Sequence, residues 1–125
     1  MRLDPDSALT HWHIGAALAA VGAREEATSH LLRSVQLDSR NGEAQYDLAR
    51  MLIEVHQLAD AVDHFRAALR LMPNSAEAHT GLGLAMAMQG KVEEAIDQFQ
   101  LALTLDPESA DARRNLEVAL RQRRR

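Results

Sequence analysis

Residues 76–109, AEAHTGLGLAMAMQGKVEEAIDQFQLALTLDPES, decide the fold, because the rest of the chain repeats this 34-residue stretch. When the sequence is shifted by 34 residues, small and apolar residues align with one another. The aligned columns are Gly15, Ala49 and Gly83; Ala27, Ala61 and Ala95; Leu31, Phe65 and Phe99; and Leu37, Leu71 and Leu105. Self-similarity at a period of this length predicts a stack of repeated structural units.

The composition predicts an all-α protein. Apolar residues make up 46% of the 125 residues, and most of them are Ala and Leu, which favour helices. The chain has no Cys, so disulfides and thiolate metal sites are excluded. No apolar run approaches the ~20 residues that span a bilayer, and the first residues, MRLDPDS, lack the apolar stretch of a signal peptide. The default expectation is a cytoplasmic protein.

Turn residues divide each unit into two helices. Gly22 and Gly90 favour the left-handed conformation that ends a helix, whereas His56 occupies the same column in the second unit, where a side chain costs ~1 kcal/mol. We therefore expect the turn at His56 to be the weakest. The predicted helices cover residues 8–21, 24–37, 43–55, 58–71 and about 110–123, with a further pair in the third unit.

The repeat columns also predict the boundaries of the units. Three units occupy residues 8–41, 42–75 and 76–109, and residues 110–125 form a capping helix with an Arg-rich end. Residues 1–7 resemble the end of a unit, so we expect either the tail of a preceding repeat or an artificial start to a piece of a longer array. Glu117 stands in the column of Gly83, which predicts the polar outer face that a terminal repeat needs.

These columns resemble those of the tetratricopeptide repeat family. The residues that carry the resemblance are Ile14-Gly15, Leu48-Ala49 and Leu82-Gly83; Leu18, Leu52 and Met86; Ala27, Ala61 and Ala95; Leu31, Phe65 and Phe99; and Pro5, Pro73 and Pro107. The resemblance implies a right-handed α-solenoid of three units and a capping helix. It also implies that the first helices line a concave groove, where a non-catalytic module, part of a larger protein, would bind a peptide or helix of a protein partner.

The groove columns give the candidate partner-binding residues. They are Trp12, His13, Glu43, Tyr46, Asp47, Arg50, Ile53, Glu77, Thr80, Leu84 and Met88. Trp12 and Tyr46 share one column, and we expect them to lie near each other as anchors for a partner. Glu43, Glu77 and Asp111 form an acidic row, which favours a ligand with apolar and some basic character. The alternative is that both aromatic residues serve ordinary packing between units.

One subclass of the family grips the C-terminal carboxylate of chaperone tails with cationic and amide side chains. By column, those positions hold Trp12, Ala16, Asp47, Glu77 and Gly81 in this chain. None of them supplies positive charge and two are acidic. The sequence therefore argues against a chaperone-tail adaptor.

No constellation in the sequence predicts catalysis, a cofactor or a metal site. His30 and His64 share a column of the second helices, and we interpret them as solvated surface residues rather than metal ligands. Gly81-Leu82-Gly83 falls inside a predicted helix, so it lacks the strand-to-helix context of a nucleotide-binding loop. We therefore expect no enzyme activity.

Two further surfaces, the Arg-rich end and the first helix, suggest alternative functions. Residues 113–125 carry six Arg against Glu117, whereas residues 1–112 carry eight Lys and Arg against 17 Asp and Glu. No aromatic residue is interleaved with the Arg residues, so a solvated helix end is favoured over contact with nucleic acid or an anionic membrane. The first helix exposes a face that a preceding unit would cover, which makes self-assembly into a homo-oligomer the main alternative function.

Overall fold

The structure is a computed structural model that describes residues 6–124, and these form seven α-helices joined by short turns. The helices are α1 (Ala8–Ala20), α2 (Arg24–Leu37), α3 (Gly42–Glu54), α4 (Leu58–Leu71), α5 (Ala76–Met88), α6 (Val92–Leu105) and α7 (Ala110–Arg123). Residues 6–124 contain no β-strand, and the all-α prediction is confirmed. The predicted repeat tail and the Arg-rich end extend into residues 1–5 and 125, which lie outside the described residues.

The helices pack in the order that the 34-residue period predicts. α1 packs with α2, α3 with α4 and α5 with α6, and the second helix of each pair also packs on the first helix of the next. The first helices contact one another in sequence, α1 with α3, α3 with α5 and α5 with α7. They therefore lie side by side along one face of a solenoid. Within residues 6–124, no helix is long and apolar enough to cross a membrane.

Each first helix begins at a side-chain cap. The side-chain oxygens of Ser7, Asn41, Ser75 and Ser109 accept hydrogen bonds of 3.0–3.2 Å from the backbone N–H three residues later. Such a cap satisfies a backbone donor that has no partner within the helix. The predicted helix over 8–21 differs from α1 by one residue at its C-terminal end, and the predicted helix over 43–55 differs from α3 by one residue at each end.

Each turn between the two helices of a repeat contains a residue in the left-handed region. The φ angle is 82° at Gly22, 85° at Gly90 and 62° at His56. In each turn the backbone N–H of the next residue donates to a carbonyl of the preceding helix, at 2.8 to 2.9 Å, which is the bond that closes a Schellman motif. The structure thus confirms that His56 adopts the conformation expected of Gly. The weakness of this turn stays a prediction.

The interior of each repeat alternates small and large residues. Ala27, Ala61 and Ala95 are fully buried, and Leu31, Phe65 and Phe99 are at most 1% exposed. The small column on the first helix makes room for the large one. A Cβ on Gly15 would lie 2.7 Å from Cγ of Leu31, and one on Gly83 would lie 2.6 Å from Cε1 of Phe99. Both distances are too short for unstrained packing.

The helix α7 packs on the third repeat and has no partner helix after it within the described chain. It buries Ala112 and Ala119 and exposes Glu117. Two of its Arg side chains reach back to the third repeat or to the turn before α7: an Arg123 guanidinium nitrogen lies 3.7 Å from a Glu93 carboxylate oxygen, and Arg113 donates to the Pro107 carbonyl at 2.7 Å. These contacts suit the interpretation of a solvated helix end.

Candidate functional site

A cavity, here called the Gly81 pocket, opens on the face where the first helices lie side by side. Its volume is about 360 Å³, and α3, α5 and α7 contribute most of its walls. The lining residues are Tyr46, Arg50, Ile53 and Glu54; Phe65; Ala76, Glu77, Thr80, Gly81 and Leu84; Asp106 and Ser109; and Asp111 and Asn115. The pocket therefore joins the second repeat, the third repeat and α7.

Gly81 allows α5 to pack closely on the second repeat. A Cβ at this position would lie 2.5 Å from Cζ of Phe65, which belongs to the second helix of the preceding repeat. The Phe65 ring is fully buried, and the Tyr46 ring packs edge-on against it, with centroids 5.9 Å apart. The half-buried Tyr46 ring therefore forms the apolar floor of the pocket, and the Phe65 ring supports it.

The walls of the Gly81 pocket carry an excess of negative charge. Four carboxylates and one guanidinium line it. Two of the carboxylates are engaged within the chain: Glu54 accepts from Arg24 at 2.7 Å, and Asp111 pairs with Arg114. Within residues 6–124, the Glu77 carboxylate has no hydrogen bond or ion pair.

The Tyr46 hydroxyl reports the electrostatics of this pocket. Burial raises the pKa of Tyr46 above its ordinary value, and the Arg50 guanidinium, 5.7 Å from the centroid of its ring, acts in the opposite direction. The carboxylates of Glu77, Asp47 and Asp111 raise the pKa further. The Arg50 guanidinium and these carboxylates therefore act in opposite directions at the floor of the pocket.

The N-terminal half of the groove is built differently. Its cavity of about 340 Å³ lies between α1 and α3 and is lined by Ala16, Ala19, Ala20, Asp47, Arg50, Met51 and Glu54. The Trp12 indole N–H donates to Asp47 Oδ2 at 2.9 Å across the boundary between the first two repeats. The indole donor and this carboxylate thus satisfy each other, and no aromatic residue lines this cavity.

A third cavity, of about 130 Å³, continues the groove between α5 and α7. Its lining is mostly apolar and consists of Leu84, Ala87, Met88, Phe99, Asn115, Val118, Ala119 and Gln122. Leu84 lines both this cavity and the Gly81 pocket. The two cavities are therefore neighbours along the concave face.

The structure brings together six of the eleven candidate groove residues around the Gly81 pocket: Tyr46, Arg50, Ile53, Glu77, Thr80 and Leu84. Asp47 lines the N-terminal cavity and Met88 the third cavity. Trp12, His13 and Glu43 line none of these three cavities. Trp12 and Tyr46 make separate ring contacts, with His13 and Phe65 respectively, rather than a shared one.

Four lining residues of the Gly81 pocket were outside the groove columns of the sequence. Phe65 belongs to a second helix, where the repeat pattern predicts a core residue, Ala76 is the first residue of α5, and Asp106 and Ser109 belong to the turn before α7. The sequence contained a signal that could have placed Phe65 beside Gly81. Gly81 is the smallest residue of its column, and it follows a repeat whose large core residue is aromatic.

The interpretation of His30 and His64 as solvated surface residues is wrong, because both rings are half-buried between the two helices of their own repeat. His30 Nδ1 lies 3.0 Å from His11 Nδ1, and His64 Nδ1 lies 2.7 Å from the side-chain oxygen of Gln45. The third repeat has the same polar pair, in which His79 faces Gln98 at 2.8 Å. The pairs are structural contacts, and within residues 6–124 no group of three or more His, Asp or Glu could hold a metal ion.

A stack of helix pairs with a groove along its first helices defines the class of helical-repeat proteins. Comparison with protein families narrows the class: the tetratricopeptide repeat model matches residues 46–110, just over half of the chain. The chain therefore belongs to the tetratricopeptide repeat family. No curated protein sequence matches it.

Solved structures resemble the whole fold. A crystal structure of MamA has a TM-score of 0.91 and 24% identity, over 96% of this chain and 70% of that chain. The first tetratricopeptide domain of Spaghetti (RPAP3), bound to the HSP90 peptide SRMEEVD, has a TM-score of 0.90 and 21% identity, over 100% of this chain and 99% of that one. The second such domain of human RPAP3, in complex with the HSP70 peptide SGPTIEEVD, has a TM-score of 0.84 and 22% identity, over 90% of this chain and 93% of that chain. At these identities the likeness establishes the fold alone.

Proposed function

We propose that the chain is a non-catalytic protein-interaction module that holds a peptide or helix of a partner protein along its concave groove. The family is one of interaction scaffolds, and two of its structural neighbours are bound to peptides. The observation that carries the proposal is the Gly81 pocket, a cavity of about 360 Å³ with an apolar floor and polar walls. Such a cavity is the usual form of a binding site.

The anchoring and steering residues fall on different parts of the groove. Tyr46, Ile53, Leu84 and Met88 offer apolar surface to a partner, since Leu84 is 36% and Met88 is 44% exposed. Glu77 adds negative charge in the same region. Trp12 and Asp47 stabilise the floor between the first two repeats through their mutual hydrogen bond, so we assign them a supporting role.

We expect the acidic chaperone tails bound by the two neighbours to be poor ligands here. Those peptides, SRMEEVD and SGPTIEEVD, end in acidic residues and a carboxylate. The corresponding groove positions of this chain include Asp47, Glu77 and Gly81, and the pocket walls are acidic. Like charges at close range disfavour binding.

The groove proposal is tested with peptides selected by phage display on the unmodified chain. Leu84→Glu, on the concave face, should weaken the selected peptides at least tenfold. Leu101→Glu, on the second helix of the same repeat, is the matched control, because Leu101 is 47% exposed and lines none of the three cavities. Equal affinities of the two variants for the peptides would exclude the groove as the binding surface.

Self-assembly is the second candidate function, and the exposed face of α1 favours it. Ile14 is 39% exposed, whereas its column partners Leu48 and Leu82 are at most 3% exposed because a preceding helix covers them. Val21, at the end of the same helix, is 79% exposed. Sedimentation over a wide concentration range tests this candidate: association that Ile14→Glu abolishes supports it, and a monomer at every concentration rules it out.

A further inference from the structure

The Gly81 pocket combines two surfaces that one type of side chain matches. Its volume, about 360 Å³, lies at the small end of the range for ligand sites, roughly 300–1,000 Å³. A site of this size suits one or two side chains of a peptide. The deep part is aromatic and apolar, and the walls above it carry carboxylates.

Lys and Arg carry an apolar stem and a cationic head, so they bury the stem while the head stays at a polar rim. The half-buried Tyr46 ring offers the surface for such a stem, together with the apolar side chains of Ile53 and Leu84. Glu77 offers the partner for the head, because its carboxylate is exposed and unpaired among residues 6–124. Two of the other carboxylates are less available, since Glu54 is bonded to Arg24 and Asp111 to Arg114. The third, Asp106, accepts from the backbone N–H of Glu108 at 3.1 Å.

The one guanidinium that lines the pocket does not neutralise this site. Arg50 lies over the Tyr46 ring, at 5.7 Å, and it makes no ion pair within residues 6–124. Arg24 and Arg114 pair with two of the four carboxylates, so Glu77 and Asp106 stand against this one cation and the walls keep a net negative charge. An anionic or carboxylate-terminated side chain would enter against that charge.

We propose that the Gly81 pocket takes a single Lys or Arg side chain of the partner, with its stem on the Tyr46 ring and its head at the Glu77 carboxylate. This inference rests on the proposed groove function and names the residue type that the groove recognises.

Glu94 supplies a matched control for the test. It lies on α6, the second helix of the same repeat, is exposed and lines none of the three cavities. Glu77→Gln removes one charge inside the pocket, and Glu94→Gln removes one charge from the same repeat outside the groove. Both substitutions keep the shape of the side chain, so a loss of folding does not confuse the comparison.

The experiment measures peptides selected on the unmodified chain and their analogues in which each Lys or Arg in turn is replaced by norleucine. We expect every strong binder to contain Lys or Arg. One norleucine replacement should weaken binding about two- to fivefold, and Glu77→Gln should weaken binding of the parent peptide similarly. The same norleucine replacement should cause no further loss of affinity on the Glu77→Gln variant, whereas Glu94→Gln should bind as the unmodified chain does.

The outcomes separate this inference from the groove proposal. If Leu84→Glu abolishes binding while Glu77→Gln and all norleucine analogues bind as before, the groove stands and the cationic pocket is wrong. Strong binders without Lys or Arg, or an equal loss for Glu94→Gln and Glu77→Gln, would also overturn the cationic pocket. If Leu84→Glu has no effect, the groove proposal itself fails.

Discussion

The two halves of the groove differ at one column, which holds Asp47 in the second repeat and Gly81 in the third. In the N-terminal half, Asp47 is bonded to Trp12 and the core residue of the preceding repeat is Leu31. In the C-terminal half, Gly81 lets α5 pack closely on the buried Phe65 ring, and the Tyr46 ring that contacts Phe65 forms the floor of a pocket. The same column of a repeat therefore holds a side-chain hydrogen bond between repeats in one half and a close backbone approach beside a cavity in the other, on one backbone plan.

We expect the largest effect when a side chain is introduced at Gly81. Gly81→Ala should lower the free energy of unfolding by about 1–3 kcal/mol, because the new Cβ overlaps the buried Phe65 ring. Phe65→Leu should then restore part of that loss in the double variant, since Leu31 coexists with a side-chain-bearing Asp47 one repeat earlier. Chemical denaturation of the four proteins of this cycle measures the coupling, and simple additivity would contradict the close approach of Gly81 to Phe65.

The N-terminal half is tested through its hydrogen bond. Trp12→Phe and Asp47→Ala should each destabilise the chain, and the pair should show a coupling energy of about 1 kcal/mol, because each side chain loses the same partner at 2.9 Å. Denaturant titrations of the single and double variants give this value. Trp12→Phe combined with Glu43→Ala is the matched control, for which we expect no coupling.

The turn that joins the two helices of the second repeat affects the pocket floor, since α3 carries Tyr46 and α4 carries Phe65. His56→Gly should stabilise the chain by about 0.5–1 kcal/mol, because Gly relieves the left-handed strain at φ 62° and loses part of the gain to its larger unfolded-state entropy. The reverse change, Gly90→His, should destabilise the third repeat. Thermal denaturation detects both, and a destabilised His56→Gly would show that the His56 side chain contributes more than the strain costs.

The smallest expected effect is on the pH dependence of stability, and it concerns the His64–Gln45 pair of the second repeat. Burial lowers the pKa of His64, against the opposing carboxylates of Asp60 and Asp63. The unfolded chain therefore binds more protons between the folded pKa and about 6.5, so stability is full above about pH 6.5 and falls as the pH drops through that window. His64→Gln should flatten the decrease of the melting temperature between pH 7.5 and 5.5. His13→Gln, at an exposed position, should leave the decrease almost unchanged.

The repeat columns were enough to predict the helices, the turns and the core, because each of these depends on residues within one unit or at one fixed spacing. Gly22, Gly90 and His56 fall at equivalent turns for this reason. The six candidates around the Gly81 pocket could also be predicted from the sequence, since groove columns follow from helix periodicity. The structure therefore confirms the tetratricopeptide fold that the columns indicated.

What the columns did not predict depends on side-chain rotamers and on contacts between units. The bond between Trp12 and Asp47 requires that two side chains 35 residues apart turn toward each other. The approach of Phe65 to Gly81 joins a second helix to the first helix of the next repeat. The half-buried His30 and His64 follow from the spacing between the paired helices, which the sequence pattern leaves undefined.

The most direct test of the account maps the binding of a selected Lys- or Arg-containing peptide by backbone amide chemical shifts. The account predicts that the largest changes fall on residues around the Gly81 pocket, such as Thr80, Gly81 and Asn115, with small changes on α6 at Gln98 and Leu101. If the largest chemical-shift changes fall on the second helices, or on the exposed α1 face around Ile14, recognition through the Gly81 pocket is contradicted.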